Sequence, residues 1–218
     1  MAQKMCFFSD LNNFYIEKIV DFDYVKGMAF SQKQKNVKSF HSSVAQKFPG
    51  KKILEISTKS DNDLGIRLSA FNLKLNGKSI ESIYQSAKVF ENDEQFSFLA
   101  DYSPKEAHKF ISERQSGGLL KFRYENVDFP LEPKTLFYDY IYIKALSKIP
   151  HISNKIVEYD IFTDIEFNEK RQVNCQARAC AIYCSLIKMN KLDKYLSTIE
   201  EFKKIYGDQG KQLSLFDF

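Results

Sequence analysis

Three short stretches of the chain set acids, amides or lysines beside large apolar residues, where a plain core would accept none. They are residues 32–35 (Gln-Lys-Gln-Lys), residues 68–73 (Leu-Ser-Ala-Phe-Asn-Leu) running on to 79–88, and residues 162–168 with 174–176 close behind. In the second, Glu81, Gln85 and Lys88 share one face of a helix, opposite the apolar stripe of Ile80, Ile83, Ala87 and Phe90. That face reads either as a solvated surface, with Glu81 favoured in the first turn by the helix dipole, or as the wall of a polar pocket. In the third, residues 161–167 alternate as a strand does, so that Phe162, Asp164 and Glu166 point one way. The two carboxylates would then stand roughly 6 to 7 Å apart, a separation suited to acid–base work at a glycosidic centre. The competing reading is an exposed strand edge whose charges deter pairing. Lys33 and Lys35 fall in the first turn of a predicted helix, against its dipole. They are either ordinary surface lysines or an anion-binding or reactive pair, since a lysine among cations can attack a sugar aldehyde carbon. Groups of this kind at an apolar boundary have shifted proton affinities, and the three clusters together point to an enzyme acting on a glycosidic bond.

The elements that must position these groups follow from caps, breakers and periodicity. The first thirty residues read as short aromatic-rich strands, at 14–20 and 23–25. Ser31 is the expected cap of a helix to about residue 48, ended by Pro49-Gly50. Residues 52–57 are an expected strand, and Ser79 caps a helix expected to reach about Phe90. Ser103-Pro104 opens another helix, since proline suits the first helical position, and Gly117-Gly118 ends it. A strand is predicted at 119–124. The helix predicted over 134–147 is apolar on nearly every side, so it should run through the centre, with Pro150 ending it. Two more helices are predicted at 174–189 and 192–206. Residues 209–218 read as a loosely held tail. Helix dominates, the strands are short, and neither a repeat nor a linker divides residues 1–208.

At 218 residues the chain can bury a substantial core. The net charge of +4 fits an anionic partner or a solvated excess of lysine equally well. No apolar run is long enough to span a bilayer, and no secretory signal is recognised at the start. Cys6, Cys175, Cys180 and Cys184 lack metal-ligand spacing and read as small buried thiols of a reducing compartment, the cytosol by default. His41, His108 and His151 are scattered and read as structural or exposed. No phosphate loop, dinucleotide fingerprint, nucleophile elbow or metalloprotease motif is present.

The segments Ser-Ala-Phe-Asn-Leu (69–73) and Ile-Glu-Ser-Ile-Tyr-Gln-Ser-Ala-Lys-Val-Phe (80–90) resemble the NADAR (YbiA-like) family. That family's core motif places a glutamate before an aromatic-Gln-x-x-Lys segment. Residues 32–35, 54–60, 130–133, 137–142, 162–168 and 174–177 further resemble the NADAR antitoxins encoded beside DarT-type ADP-ribosyltransferase toxins. The resemblance implies a single α+β, helix-dominated domain that removes ADP-ribose from guanine bases in DNA. It places the catalytic glutamate on Glu81, the late aspartate on Asp164, and a lysine capable of forming an imine with ribose on Lys35. The substrate-binding set expected beside them is Lys33, Ser69, Phe71, Asn72, Gln85, Lys88, Arg114, Phe162, Glu166, Asn174 and Gln176. No metal or cofactor is called for. Broader NADAR proteins carry tryptophans near the site and this chain has none, so stacking falls to Phe71, Tyr84, Phe162 or Phe167, which argues against a flavin-precursor substrate. The rival functions are an N-glycosidase acting on a free nucleotide-like metabolite and a non-catalytic ADP-ribose-binding module.

Overall fold

In the computed structural model, which describes residues 1–114, 117–170 and 172–207, the chain opens with a hairpin. β1 (Ala2–Asp10) and β2 (Phe14–Phe22) pair antiparallel along their whole length. The Asp10 carboxylate closes the turn by accepting from the backbone N–H groups of Asn12 and Asn13, at 3.0 and 2.6 Å. The strand expected at 23–25 is absent, because the buried Asn36 side chain takes both backbone groups of Val25 (2.8 and 3.0 Å). Ser31 does not cap α1 (Phe30–Lys47): Ala29 holds the cap position, with no side-chain hydrogen bond. β3 (Ile53–Glu55) is shorter than expected, since the chain turns at Ser57, whose carbonyl accepts from Ser60 N–H.

After α2 (Asp63–Arg67), β4 (Lys74–Leu75) and β5 (Lys78–Ser79) form a two-stranded ladder that leads into α3 (Ile80–Ser86). Ser79 caps α3 as expected, its hydroxyl accepting from Ser82 N–H at 3.1 Å. The helix stops at Ser86, however, and Lys88 lies on β6 (Lys88–Phe90), which pairs with a later strand. Long-range pairing of Val89 and Phe90 overrides the helical periodicity there. α4 (Pro104–Arg114) begins at its proline, behind a reciprocal cap in which Ser103 and Glu106 each accept the other's backbone N–H. β7 (Leu119–Tyr124) and β8 (Val127–Phe129) complete a three-stranded sheet in the order β6-β7-β8. α5 (Leu136–Ser147) ends before Pro150, which opens α6 (Pro150–Ser153) instead of ending α5. β9 (Ile161–Thr163) stops four residues short of the expected end. The Asp164 carboxylate accepts from Glu166 and Phe167 N–H (3.0 and 3.2 Å) and bends the chain out of the strand. α7 (Gln176–Lys188) follows. The last expected helix is broken into α8 (Leu192–Leu196) and α9 (Ile199–Lys203) by Thr198, which caps α9 through Glu201 N–H. The tail at 209–218 lies outside the described residues.

The hairpin, β9 and β3 form a four-stranded sheet in the order β2-β1-β9-β3, with β9 antiparallel to β1 and parallel to β3. Alternating residues serve its two faces. Cys6, Val20, Phe22 and Ile161 pack under Val37, Phe40 and Val44 of α1. Phe7, Leu54 and Phe162 join the main core with α5 and α7. α5 is buried along its length, as its all-round apolarity predicts. Mixed α and β elements, with helix in excess, share this core. All four cysteines are buried and free. Among the described residues no helix is long and apolar enough to cross a membrane.

One buried ion pair locks the helical layer. Arg178 of α7 reaches Asp139 of α5 at 3.2 Å, Tyr206 donates to the same carboxylate at 2.8 Å, and Arg178 also donates to the Val173 carbonyl at 3.0 Å. Both charged side chains are almost wholly out of water. Asp139→Ala strands the guanidinium and should cost about 3–5 kcal/mol. Urea unfolding checks this, and a loss below about 1 kcal/mol would contradict it.

Candidate active site

A cavity of about 980 Å³ opens where the sheet half of the molecule meets the helical half. Its floor and walls come from α3 and β6 (Glu81, Tyr84, Gln85, Lys88), from α4, from Tyr138 of α5, and from the chain between β9 and α7 (Asp164, Glu166, Phe167, Asn174, Gln176). These stretches are far apart in sequence. What brings them together is the shared core beneath, where Ile80 and Ile83 of α3, Phe137 and Ile141 of α5, and Ala177 and Cys180 of α7 pack as one cluster.

Glu81 sits in the first turn of α3, and its carboxylate accepts from the Gln85 amide at 2.8 Å. Because a carboxylate only accepts, this bond fixes which end of the Gln85 amide points away from Glu81. It is the carbonyl oxygen, buried and without a hydrogen-bond partner among the described residues. Asn174 Oδ1 is a second buried acceptor with no hydrogen-bond partner among the described residues. Two acceptors left open at one cavity suit the hydroxyl or N–H donors of a ligand.

Asp164 is the other acid of the cavity. Its carboxyl is buried, and that burial, with the nearby charge of Glu55, pushes its pKa up to about 8, against the opposing pull of Lys4 and of the Gln176 amide. Burial thus favours its protonated form. Tyr138 lies against both acids: its phenol is raised well above the ordinary value by burial and then by the charges of Glu81 and Asp164. Burial also lowers the proton affinity of Lys88, which Glu81 partly restores. The Lys88 ammonium lies 5.3 Å from the Tyr84 ring centroid.

The structure brings together Glu81, Asp164, Phe71, Gln85, Lys88, Glu166, Asn174 and Gln176 at the cavity. Gln176 also ties the cluster at 68–73 to the site, accepting from Ala70 N–H at 2.7 Å. The remaining expected residues lie elsewhere. Lys33 stays outside the lining and pairs with Glu166 on the rim at 3.0 Å. Lys35 is exposed on α1 and lines no part of the cavity. Ser69 is buried and Asn72 donates to the Ile66 carbonyl at 2.9 Å, so both serve the turn beneath Phe71. Arg114 lies over the Phe110 ring at 4.6 Å, away from the site. Phe162 is wholly buried in the main core and cannot meet a ligand, because β9 is an inner strand covered on both faces. Of the aromatics expected to stack, Phe71, Tyr84 and Phe167 line the cavity. The expected pair of carboxylates on one strand face is replaced by two acids on a turn.

Sequence reasoning missed Tyr138, which looks like any aromatic of a buried helix, and the cavity-facing side of α4. There Lys105, His108, Lys109 and Ser112 recur at helical spacing, a signal that equally describes a solvated face.

No curated protein matches the chain. The sequence model of one family, described as the DarT1-associated NADAR antitoxin, matches residues 2–214 and so takes in every cavity residue named above. The chain belongs to the DarT1-associated NADAR antitoxin family.

Proposed function

We propose that this antitoxin hydrolyses the N-glycosidic bond between ADP-ribose and guanine in DNA, undoing the modification made by its DarT-type toxin. The observation that carries the reading is the presence in one cavity of two acids in unlike surroundings, the half-buried carboxylate of Glu81 and the buried Asp164, whose protonated form burial favours. Family membership supports the antitoxin role. The cavity volume suits a nucleotide-sized ligand. Lys88, Lys105, Lys109 and Lys134 supply cations for a pyrophosphate, and Phe71 and Phe167 supply flat faces.

The chemistry follows from these positions. Breaking the bond at the ribose anomeric carbon builds positive charge there, which Glu81 stabilises. The guanine nitrogen leaves with the proton of Asp164. Water then adds to the anomeric carbon, and its proton restores Asp164. The products are free ADP-ribose and unmodified guanine. The open acceptors of Gln85 and Asn174 hold ligand donors through the reaction.

A second route is favoured by Lys88, the lysine that burial tilts toward the neutral, nucleophilic form. Its amine displaces guanine from the anomeric carbon, giving an imine on ring-opened ribose that water hydrolyses. In this route Lys88 takes the part first given to Lys35, which stands outside the cavity.

Glu81→Gln should bind ADP-ribosylated DNA but release ADP-ribose about 10²–10³-fold more slowly; undiminished turnover removes Glu81 from the mechanism. Equal turnover of a small guanine-linked ADP-ribose and of modified DNA would favour the free-metabolite reading. Stoichiometric protection that ignores Glu81 would favour a binding module.

Borohydride added during turnover should leave a covalent adduct on Lys88 and none on Lys35 if the imine route operates. Mass spectrometry of the digest reads the site, and a Lys35 adduct would reverse the assignment.

Asp164 also sets a pH dependence with a definite sign. Its folded pKa, about 8, lies above the ordinary 3.8, so the folded state binds the extra proton and the stability this group contributes is lost as pH rises between those values. Relative to the wild type, Asp164→Asn should therefore become more stable as pH rises from about 4 to 8. Thermal melts across that range test it, and a constant difference would refute a raised pKa. Turnover should fall as pH rises through about 8.

A further inference from the structure

Beneath the cavity, on the far side of Asp164, lies a buried acid that the mechanism above does not use. We propose that Glu55 is a positioning residue for Asp164: its carboxylate grips the chain on both sides of that acid and sets a second negative charge against it. The inference rests on the reading of Asp164 as proton donor.

Glu55 ends β3 and is 1% exposed. One carboxylate oxygen accepts from the Thr163 hydroxyl at 2.6 Å, and the other from Ile165 N–H at 2.8 Å. These residues flank Asp164 directly, so the turn that carries the acid is pinned before and after it. Ser57 Oγ donates a third bond at 2.7 Å. The grip extends to α1, where His41 Nε2 lies 2.8 Å from Thr163 Oγ1 and 3.9 Å from Glu55. A threonine hydroxyl has one proton to give. Since that proton goes to Glu55, Thr163 Oγ1 accepts from His41, and Nε2 is the protonated nitrogen. Burial lowers the pKa of His41, so the histidine enters as a neutral donor and not as a cation that would cancel Glu55.

The end of β3 that carries Glu55 is also tightly packed. A Cβ on Gly65 of α2 would stand 1.9 Å from the Glu55 carbonyl oxygen and 2.6 Å from Ser60 Oγ, so α2 lies on β3 more closely than any side chain allows. The groups that face Asp164 come from every element packed on it. They are Glu55 from β3, Lys4 from β1, Gln176 and Cys180 from α7 with Cys175 just before it, the Glu166 and Phe167 N–H groups from its own turn, and Tyr138 and Tyr142 from α5. Lys4 is the one cation of this set, and its ammonium is engaged by the Phe167 carbonyl. Burial and the Glu55 charge prevail over it, in that order for raising Asp164. A purely structural Glu55 would need only the three hydrogen bonds; the charge is what the donor chemistry uses.

The test is a titration of the aspartate carboxyl carbons by 13C NMR in the wild type and in Glu55→Gln, with Asp164→Asn identifying the resonance. Glutamine keeps the shape and an acceptor oxygen while removing the charge. The Asp164 midpoint should lie near 8 in the wild type and fall by about one pH unit or more in Glu55→Gln. The high-pH limb of ADP-ribose release should move down with it. An unmoved midpoint in folded Glu55→Gln overturns the inference. So does a wild-type Asp164 that titrates in the ordinary carboxylate range, a result that needs no variant to fold. The NMR readout is independent of turnover, so a chain that shows this shift yet releases no ADP-ribose keeps the role of Glu55 and loses the glycosidase reading.

Discussion

The removal of the Asp164 carboxyl from water is the constraint around which the rest of the molecule is arranged. Burial in that position favours the protonated form, and the fold offsets the desolvation by meeting its oxygens locally. Two backbone N–H groups of its own turn and the amide of Gln176 reach it, and a second acid behind it discourages ionisation further. The same turn ends β9 and swings the chain into the cavity wall. Local hydrogen bonding, strand termination and proton affinity are thus one event at one residue.

The cavity is a product of the join between two layers. The sheet layer delivers Asp164 at the end of an inner strand covered on both faces, where neither the strand nor its neighbours can shift independently. The helical layer delivers Glu81 from the first turn of a short, well-capped helix. α5 stands between them as a buried post, and Tyr138 on it touches the fields of both acids. Two carboxyl groups in unlike surroundings can divide the roles of proton donor and charge stabiliser, which is what a glycosidic centre requires. The ion pair of Asp139 and Arg178 holds α5 to α7 just beyond the site and keeps that division of space constant.

Charges around the cavity are sorted by depth. Lys33, itself mostly buried, meets the more exposed Glu166 at the rim. Lys88 lies deeper, short of water and beside Glu81, and is the lysine whose chemistry burial changes. Lys35, two residues from Lys33 on α1, is exposed and lines no part of the cavity. The same residue type therefore meets a partner, loses water or stays solvated according to where the core stops.

Local rules carried a large part of this protein in the sequence itself. The caps at Ser79 and Ser103, the proline that opens α4, the all-round apolarity of α5 and the acids Glu81 and Asp164 are each readable from neighbours a few residues away. The family motif around 80–90 and 162–177 added the membership. What stayed out of reach depended on partners distant in the chain. Only the assembled sheet turned Phe162 inward, made Lys88 a strand residue, left Lys35 outside and set Glu55 behind Asp164. Burial and charge–charge distance belong to the packed layers and not to any segment. Sequence thus offered the acids as candidates, but only tertiary structure decided which of them is withdrawn from water.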